Sequence, residues 1–499
     1  MSVLNLPALY TKPSSSFQQQ LGLAISRYSL FPFLNKNDSL PDLLPYVRQN
    51  LPKVLACSVE KARKDFGKKK PMKFKKRLLN IFTSGILGSA TKIIEDVTQL
   101  GNFMLNGLQE GNLPGKNYIL RDSAWGTSIV KTNGLKGDTA WSTEIYFGSD
   151  SQPLRMNIDS GSSDLFLFDP GCRNCEFKNH SSFNHHNSIT FKVIHNSNFS
   201  SSYADGSIVD GYLARDTVSL NGNIFINKQI LGMATKASEH WKRMAVDGLV
   251  GIGPDSLTTF NVSGNRGLFT QMIANNQLKE PVVGIALVKE SFGNSNSGTF
   301  SFGAIDERWI LPGELLTWRN VTSRNFWGVD LSGIYVNRKN LMTSVDPPRA
   351  IIDTGTSLTL VTEALATKIH SLIPGAQVDP SSGVWLVPCS IRGPHGNKQS
   401  REVKGTSITQ QTIPKSIFFE FGKGKEKFGI PTADLAYEVV KNYSDNGIEM
   451  CYSGIQMGGD NFVILGDLFL KNNYVALKYE EKGKKSVGFA NRTDIGPME

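Results

Sequence analysis

Two short segments, far apart in the chain, place an aspartate in the same local setting. The first reads Ile-Asp-Ser-Gly-Ser-Ser and carries Asp159, and the second reads Ile-Asp-Thr-Gly-Thr-Ser and carries Asp353. One copy would be weak evidence for a site, because Asp-Ser-Gly is common turn chemistry. Two copies in matching surroundings predict a duplicated lobe that contributes one carboxylate per copy.

Two carboxylates that face each other can hydrolyse an amide bond without a metal or a covalent nucleophile. When they lie about 3 Å apart they cannot both ionise easily, so the pKa of one falls and that of the other rises. The pair titrates as a unit. One carboxylate then acts as a base toward water, and the other as an acid toward the substrate carbonyl. Gly161 and Gly355 would let the backbone pass close behind each carboxylate.

The elements that must position these aspartates are short strands. From about Asp138 onward the sequence consists of apolar runs separated by turn signals, and each Asp motif follows such a run. Helices are predicted at residues 268–278 and after Thr362, which would act as the N-cap. Examples of the predicted strands are residues 141–147, 154–158, 208–220, 230–234, 282–288, 298–302, 328–336, 350–360, 417–421 and 463–465.

Composition and charge exclude several classes of protein. The 499 residues are 39% hydrophobic and include 28 Phe, which is enough for a sizeable core. No run of about 18 apolar residues exists, so we expect no stable membrane insertion. The net charge of +10 is concentrated in residues 1–136, which carry 20 Lys and Arg against 8 Asp and Glu. The remainder is close to neutral, which argues against nucleic acid as a partner.

The basic N-terminal region is interpreted as a leader and prosegment. Residues 61–77 are polybasic, and residues 78–108 have the apolar spacing of one or two amphipathic helices. A prosegment that masks an acidic site, a solvated basic helix and a membrane-surface helix all fit this pattern. Residues 21–34 make a poor secretory signal, because Arg27 interrupts the apolar run and the run starts late.

The motifs and their order resemble those of the pepsin-like aspartic proteases across roughly residues 138–490. Besides the two Asp motifs, the chain has an apolar-apolar-Gly segment for each, at Leu249-Val250-Gly251 and Ile464-Leu465-Gly466. A segment like the family's flap reads Tyr-Ala-Asp-Gly-Ser from Tyr203. The resemblance implies a mostly β, bilobal fold with the active-site cleft between two related lobes. The implied domains are a leader at residues 1–136, an N-terminal lobe at 137–311 and a C-terminal lobe at 312–499.

The resemblance also implies roles for individual residues. Asp159 and Asp353 would be the catalytic dyad. The residues implied to support the dyad are Ser160, Gly161, Ser162, Thr354, Gly355 and Thr356. Among these, Ser160 and Thr354 would form a hydroxyl brace beneath the dyad, and Ser162 and Thr356 would bond the outer carboxylate oxygens. The residues implied to bind substrate are Tyr203, Asp205, Gly206, Ser207, Asn157 and Phe166.

Three positions depart from the usual family pattern. Ser160 replaces the more usual Thr, although the hydroxyl is kept. Phe166 stands where many members carry a Trp that bonds the flap tyrosine, so Tyr203 is expected to be less restrained. Asn157 occupies a position that helps to floor the primary pocket, where an apolar residue is common. Asp205 on the flap resembles microbial relatives that accept Lys on the amino side of the cleaved bond, and we expect the same tolerance here.

The resemblance implies two disulfides, Cys389–Cys451 and Cys172–Cys175. The two-residue gap in the second pair also permits a redox or zinc site, but no second CxxC or suitable His pair supports zinc. Seven glycosylation sequons modestly favour an oxidising compartment, at Asn37, Asn179, Asn198, Asn261, Asn320, Asn442 and Asn491. The expected destination is secreted or a vacuolar or lysosomal lumen.

These observations lead to one functional hypothesis and one main alternative. The hypothesis is an aspartic endopeptidase that is made as a zymogen, is active at acid pH, uses no cofactor or metal, is monomeric, and is inhibited by its own prosegment. Its partners would be polypeptide substrates. The alternative keeps the fold without the activity, as a catalytically silent peptide-binding protein. Such relatives usually lack a catalytic Asp or a supporting Gly, and both are present here.

Overall fold

The structure is a computed structural model that describes the chain from residue 127 onward with several gaps. The described residues are 127–134, 141–173, 175, 180–203, 207–239, 241, 244–289, 298–343, 349–392, 413–445, 447–458, 462–496 and 498. The predicted leader, apart from residues 127–134, lies outside them. None of the helices in the described ranges is long and apolar enough to cross a membrane.

Strands dominate the described residues, as the sequence predicted. In the first half they are β1 (Ser128–Gly134), β2 (Trp141–Phe147), β3 (Gln152–Asp159), β4 (Leu165–Arg173), β5 (Lys192–Ser202), β6 (Ile208–Leu220), β7 (Ile224–Ala237), β8 (Gly248–Gly251), β9 (Val282–Ala286), β10 (Gly298–Phe302) and β11 (Thr317–Asn320).

The second half continues with shorter strands. These are β12 (Gly328–Val336), β13 (Lys339–Asn340), β14 (Arg349–Ile352), β15 (Thr359–Val361), β16 (Gln377–Val378), β17 (Trp385–Pro388), β18 (Ser416–Phe421), β19 (Lys427–Pro431), β20 (Ala436–Asp445), β21 (Ile448–Ser453), β22 (Ile455–Met457), β23 (Phe462–Leu465), β24 (Asn473–Tyr479) and β25 (Lys485–Asn491). The α-helices within the described ranges are α1 (Leu268–Ala274), α2 (Glu363–His370) and α3 (Asp467–Leu470).

Three sheets organise these strands into a mostly β, bilobal fold. The largest has 13 strands in the order β11-β25-β24-β9-β10-β1-β2-β3-β8-β4-β7-β6-β5. A second has eight strands, in the order β19-β18-β12-β14-β23-β15-β22 with β13 paired to β12, and a third has the order β16-β17-β21-β20. Strands β24 and β25 belong to the last part of the described chain, yet β24 pairs with β9 in the first sheet. That sheet therefore draws on both halves of the chain.

The two Asp motifs occupy equivalent places in two related sets of strands. In the first, β8 runs parallel to β3 and antiparallel to β4, which places Gly251 beside Asp159. In the second, β23 runs parallel to β14 and antiparallel to β15, which places Leu465 beside Ile352. Each Asp thus leaves a strand that is buried between neighbours. This repeated arrangement is the structural form of the duplicated lobe that the sequence predicted.

The local predictions were mostly confirmed, with two adjustments. Helix α2 begins directly after Thr362, whose hydroxyl accepts a hydrogen bond from the Leu365 N–H at 3.4 Å. Helix α1 ends at Ala274, earlier than predicted, and Asn276 adopts a positive φ of 52° that a helix cannot continue through. The predicted strand at residues 350–360 is two strands, β14 and β15, because the Asp353 turn separates them.

Candidate active site

Both aspartates are fully buried in turns that bond them in the same way. The Oδ1 atom of Asp159 accepts a hydrogen bond from the Gly161 N–H at 2.8 Å, and its Oδ2 atom accepts one from the Ser162 hydroxyl at 2.5 Å. In the second turn, Gly355 N–H donates to Oδ1 of Asp353 at 2.9 Å, and the Thr356 hydroxyl donates to Oδ2 at 2.6 Å. These contacts fix the orientation of each carboxylate without neutralising its charge.

Ser160 and Thr354 tie the two turns together by reciprocal hydrogen bonds. The Ser160 N–H donates to the Thr354 hydroxyl at 2.9 Å, and the Thr354 N–H donates to the Ser160 hydroxyl at 3.0 Å. Each hydroxyl then donates onward to the carbonyl before the opposite Asp, Ser160 to Ile352 at 3.0 Å and Thr354 to Ile158 at 2.7 Å. Four bonds therefore cross between the turns, and both hydroxyls are satisfied as donor and acceptor.

Gly161 shows how closely the two carboxylates approach. A Cβ atom added to Gly161 would stand 2.5 Å from Oδ1 of Asp353 and 2.7 Å from its carboxyl carbon. The same residue donates its N–H to Asp159. Both carboxylates therefore contact Gly161, and only glycine leaves room for this arrangement.

The two apolar-apolar-Gly segments support the turns from behind. A Cβ atom on Gly251 would stand 2.5 Å from the carbonyl carbon of Ser163, and one on Gly466 would stand 2.1 Å from the Thr356 carbonyl oxygen. The backbone also connects them, because Gly251 N–H donates to the Asp164 carbonyl at 2.8 Å. Glycine at these positions lets each supporting segment touch the turn that carries the aspartate.

Asp164 is a supporting residue that the sequence reasoning missed. Its buried carboxylate accepts hydrogen bonds from the Thr259 N–H at 2.8 Å and the Thr259 hydroxyl at 2.7 Å, and also from the Thr258 hydroxyl. Burial raises the pKa of this carboxyl, although the threonine bonds act in the opposite direction. The contacts join the first Asp turn to a loop some 94 residues further along the chain. No local sequence signal marks that partnership.

The flap segment is described only at its two ends. The Tyr203 N–H donates to the Ser207 carbonyl at 2.8 Å, which joins the two described ends of the segment. Asp205 and Gly206 lie outside the described residues, so the predictions for them stay predictions. The Tyr203 ring lies 6.3 Å from Phe166, between ring centroids.

Trp241 is a third aromatic side chain in the same cluster, and the sequence reasoning did not identify it. Its ring packs edge-on against Tyr203 at 5.2 Å and against Phe166 at 5.1 Å. Trp241 is 2% exposed. Tyr203 therefore packs against two aromatic rings, one of which comes from a loop that carries no recognisable motif.

The remaining predicted residues are distributed as follows. Asn157 is buried on the strand that leads into Asp159. Cys172 pairs with Cys175, and Cys389 pairs with Cys451, so the two predicted disulfides are present. Within the described ranges, no group of three or more His, Cys, Asp or Glu side chains could hold a metal ion.

Comparison with known proteins agrees with this geometry. The family model described as "Eukaryotic aspartyl protease" matches residues 140–492. Syncephapepsin from Syncephalastrum racemosum is 30% identical over 357 residues, which is 72% of this chain and 79% of that protein. Rhizopuspepsin-1 from Rhizopus niveus is 30% identical over 69% of this chain and 78% of its own length.

A further relative comes from a different organism. The protein named aspartic protease PEP3, from Coccidioides posadasii, is 28% identical over 70% of this chain and 72% of its own length. The residues matched by the family model, 140–492, include both Asp turns and the strands that support them. The chain belongs to the eukaryotic aspartyl protease family.

Proposed function

We propose that this protein is an aspartic endopeptidase, and that Asp159 and Asp353 together activate the water that cleaves the peptide bond. The observation that carries the proposal is the reciprocal brace between Ser160 and Thr354. It holds two buried carboxylates against one glycine, Gly161, in matching orientations. A fold retained only to bind peptides has no need of so complete a set of bonds.

The chemistry follows from two carboxylates that share one proton. The ionised member takes a proton from water as the water attacks the substrate carbonyl, and the protonated member donates to the carbonyl oxygen. As the tetrahedral diol collapses, the proton taken from water passes to the leaving nitrogen, and one diol hydroxyl returns a proton to the other carboxylate, which restores the starting state. Each carboxylate already accepts one backbone N–H and one hydroxyl bond. The site therefore needs little rearrangement as the charge moves between its two halves.

The flap would cover an extended substrate and exclude water from the cleft. Tyr203 packs on Phe166 and Trp241 at its base. Closure of such a segment fixes the peptide over the dyad. Tyr203 and Ser207 would act at the two ends of the flap, with Asp205 and Gly206 between them.

A cleavage assay tests the activity directly. Wild-type protein, processed to its mature form, should cleave a peptide mixture, and pepstatin should inhibit the cleavage. Asp159→Asn and Asp353→Asn should each lower kcat/KM at least about a thousandfold, because each removes one half of the acid–base pair. An inert wild type with a correctly folded mature lobe pair would favour the catalytically silent peptide-binding alternative.

The leader is proposed to act as an intramolecular inhibitor of a zymogen. Its 20 basic and 8 acidic residues would be attracted to the ionised carboxylates of the cleft. Acid weakens that attraction by protonating carboxylates and also supplies the proton that the dyad shares. We therefore expect activation and activity at acid pH, in a secreted or lumenal compartment, by a monomer that carries glycans on some of its sequons.

Self-processing of purified precursor near pH 4 tests this part of the proposal. Cleavage between about residues 110 and 137 should occur in wild type and stop in Asp353→Asn. Equal processing of both proteins, without any added protease, would contradict self-cleavage. Full activity of a precursor that keeps its leader would contradict inhibition by the leader.

A further inference from the structure

A sequon for N-linked glycosylation lies on the outermost strand of the largest sheet. Strand β5 is last in the order of that sheet, next to β6. It carries the triplet Asn198-Phe199-Ser200, in which the Asn and the Ser are exposed and the Phe is buried. The ladder with β6 is interrupted just before Asn198, as is common at a sheet edge. Because side chains alternate along a strand, the Asn198 amide points away from the hydrophobic core.

A cavity of about 580 Å³ opens beside Asn198, and neither catalytic aspartate lines it. The residues that line it belong to β5, β6 and β7, and include Asn198, Ser200, Asp210, Tyr212 and Thr235. Its volume falls within the range of about 300–1,000 Å³ that is usual for sites that hold small ligands. A group attached to the Asn198 amide could therefore enter this space.

Tyr212 supplies an aromatic surface within the cavity. It is directly paired with Asn198 in the ladder between β5 and β6. Directly paired side chains share a face of the sheet, with Cβ atoms about 5 Å apart. The Tyr212 hydroxyl donates a hydrogen bond to Oδ2 of Asp169 at 2.7 Å, which holds the ring in place. A group attached to Asn198 would therefore lie against this ring.

Asp210 makes another part of the cavity polar. Its Oδ1 atom accepts a hydrogen bond from the Ser200 hydroxyl at 2.7 Å, and its Oδ2 atom lies 3.9 Å from Nζ of Lys236. A carboxylate has about four acceptor sites, so further hydroxyl groups can donate to it. Thr235 adds a hydroxyl to the lining. A ligand that fits both parts needs an apolar ring face and several hydroxyl groups, which is the chemistry of a sugar.

We propose that Asn198 carries an N-linked glycan, and that the first N-acetylglucosamine of this glycan lies in the cavity, against Tyr212 and Asp210. The inference rests on the proposed passage of the protein through a secretory lumen. The Asn198 Nδ2 atom forms a bond to the anomeric carbon of the sugar and releases one proton. The bond from that carbon to a lipid pyrophosphate donor breaks, and the lipid pyrophosphate leaves with its electron pair.

The place of Asn198 at the sheet edge gives this sugar a structural role. An outermost strand presents unpaired N–H and C=O groups to other chains. The same strand also exposes an apolar side chain, because Val193 is 43% exposed. A bulky hydrophilic group on β5 blocks such pairing. The glycan therefore protects the edge that the fold leaves open, and it has no part in the cleavage reaction.

The first experiment asks whether Asn198 is modified. The full chain is expressed in a eukaryotic host, once behind the host's secretion signal and once with its own N-terminus. Mass spectrometry of the exported protein should find a glycan that begins with N-acetylglucosamine on Asn198. An unmodified Asn198 in the protein exported by the host signal would overturn the inference. Absence of glycans from every sequon of the protein made with its own N-terminus would contradict the proposed lumenal passage.

The second experiment asks whether the first sugar occupies the cavity. An endoglycosidase trims the glycan to a single N-acetylglucosamine, and the trimmed protein is compared with Asn198→Gln, which carries no sugar there. The trimmed protein should melt at a temperature about 2 °C higher. Asn261→Gln makes the same substitution at another exposed sequon and should leave the melting temperature unchanged. A difference at Asn198 no larger than that at Asn261 would overturn the placement of the sugar.

Variants of Tyr212 show whether the ring holds the sugar. The difference in melting temperature between the trimmed protein and Asn198→Gln should persist in a Tyr212→Phe background, which keeps the ring, and disappear in a Tyr212→Leu background. Equal differences in both backgrounds would overturn the contact. If Tyr212→Leu does not fold, Asp210→Ala decides, because it should reduce the difference by at least half, and an unchanged difference there overturns the placement.

Peptide cleavage by the same proteins separates this inference from the proposed activity. Wild type and Asn198→Gln should have the same kcat/KM, because the cavity lies outside the site. If neither protein cleaves any peptide while Asn198 carries the glycan and the difference in melting temperature is present, the endopeptidase proposal fails and the glycan assignment stands. A severalfold lower kcat/KM in Asn198→Gln would contradict a purely structural role for the sugar.

Discussion

The first and second Asp turns are bonded alike but embedded in different surroundings. The residue two positions before the aspartate is Asn157 in the first turn and Ile351 in the second. The residue five positions after the first aspartate is Asp164. The position equivalent to Asp164 is Leu358, and the position equivalent to Phe166 is Leu360. All of these residues are buried, so the second turn rests on aliphatic packing where the first rests on hydrogen bonds and aromatic rings.

The hydrogen bonds that the two turns share are those that the proposed reaction requires, and the side chains around the turns are the part of the site that can vary. The inner ring of bonds, formed by the glycines and hydroxyl residues of the two motifs, is the same in both turns, as the proposed sharing of one proton between the two carboxylates requires. The outer ring consists of the surrounding side chains, which are Asn157, Asp164 and Phe166 at the first turn and Ile351, Leu358 and Leu360 at the second. It differs between the turns because these side chains pack against different neighbours. The flap cluster lies beside the first turn. We therefore expect changes to the inner ring to affect both halves equally, and changes to the outer ring to affect only one.

Among the variants that test this comparison of the two turns, Gly161→Ala has the largest expected effect. The added methyl group would stand 2.5 Å from the Asp353 Oδ1 atom, so one turn would displace the carboxylate of the other. Misplacing a reacting group by about 1 Å can cost about a hundredfold in rate. We expect kcat/KM to fall by at least that factor, measured on any cleaved peptide.

Gly222→Ala is the control, because its hairpin position has open space and lies away from the site. It should keep the activity of wild type while losing some stability through its positive φ of 72°. A Gly161→Ala enzyme that keeps a third or more of wild-type activity would contradict the close contact of the two halves.

The second prediction is that the stability of the two lobes responds differently to acid. His370 is buried in α2, stacked on Trp385, with its ring nitrogens bonded to the Ala366 carbonyl at 2.7 Å and the Ser453 hydroxyl at 2.8 Å. Burial lowers its pKa to about 4 from an ordinary value of 6.5. As pH falls through this window, the unfolded chain binds a proton that the folded chain does not, which costs roughly 3 kcal/mol of stability.

The first lobe contains buried carboxyls that respond in the opposite direction. Burial raises the pKa of Asp164, Asp216 and Asp255 above the ordinary range. Their folded forms bind protons before their unfolded forms do, so each of them contributes more stability as pH falls. Acidification should therefore weaken the second lobe before the first.

Urea unfolding of wild type and His370→Gln at several pH values from 7 to 4 measures this effect. Wild type should lose stability on acidification, and the variant should lose markedly less, even if its stability at pH 7 is lower. Hydrogen exchange should show α2 opening first. Parallel pH profiles for the two proteins would contradict the assignment of acid sensitivity to His370.

The third prediction concerns the brace between Ser160 and Thr354. Removing the hydroxyl from either residue should lower the free energy of unfolding by the same amount. Ser160→Ala and Thr354→Val each remove one hydroxyl and leave the volume almost unchanged. Each removes two cross-turn bonds. We expect each to lower the free energy of unfolding by about 2 kcal/mol.

The double variant should cost less than the sum of the two single variants, because both break one shared network. Denaturant unfolding of all four proteins measures the coupling. Strict additivity, or a difference of more than about 1 kcal/mol between the single variants, would show that the brace is not reciprocal in solution.

The smallest expected effect comes from Trp241→Leu. Loss of the edge contact with Tyr203 should raise KM several-fold, on the order of the 0.5–1.5 kcal/mol that an aromatic pair provides. Trp241→Phe should restore most of the affinity. Trp385→Leu, in the second lobe, should lower stability without changing KM. Equal KM changes in the two Leu variants would show that Trp241 acts only through general stability.

The sequence predicted the inner ring of the site much better than the outer ring. Each aspartate lies in a local motif with its glycine and hydroxyl residues, so six consecutive residues are enough to predict each turn. Trp241 and Asp164 act through partners that only the tertiary structure supplies, the flap ring in one case and Thr258 and Thr259 in the other. Strand β5 is one that the apolar pattern does not indicate, because its polar Asn and Ser residues show no apolar alternation.

The pairing of β24 with β9 has a consequence for how the chain is made. Strands β24 and β25 are synthesised after every other strand that the structure describes, yet the large sheet of the first half is incomplete without them. Until they emerge from the ribosome, β9 keeps one edge unpaired. Open strand edges invite pairing with other chains, and pairing between distant segments is slow. The nascent protein should therefore depend on chaperones until translation of β25 is finished.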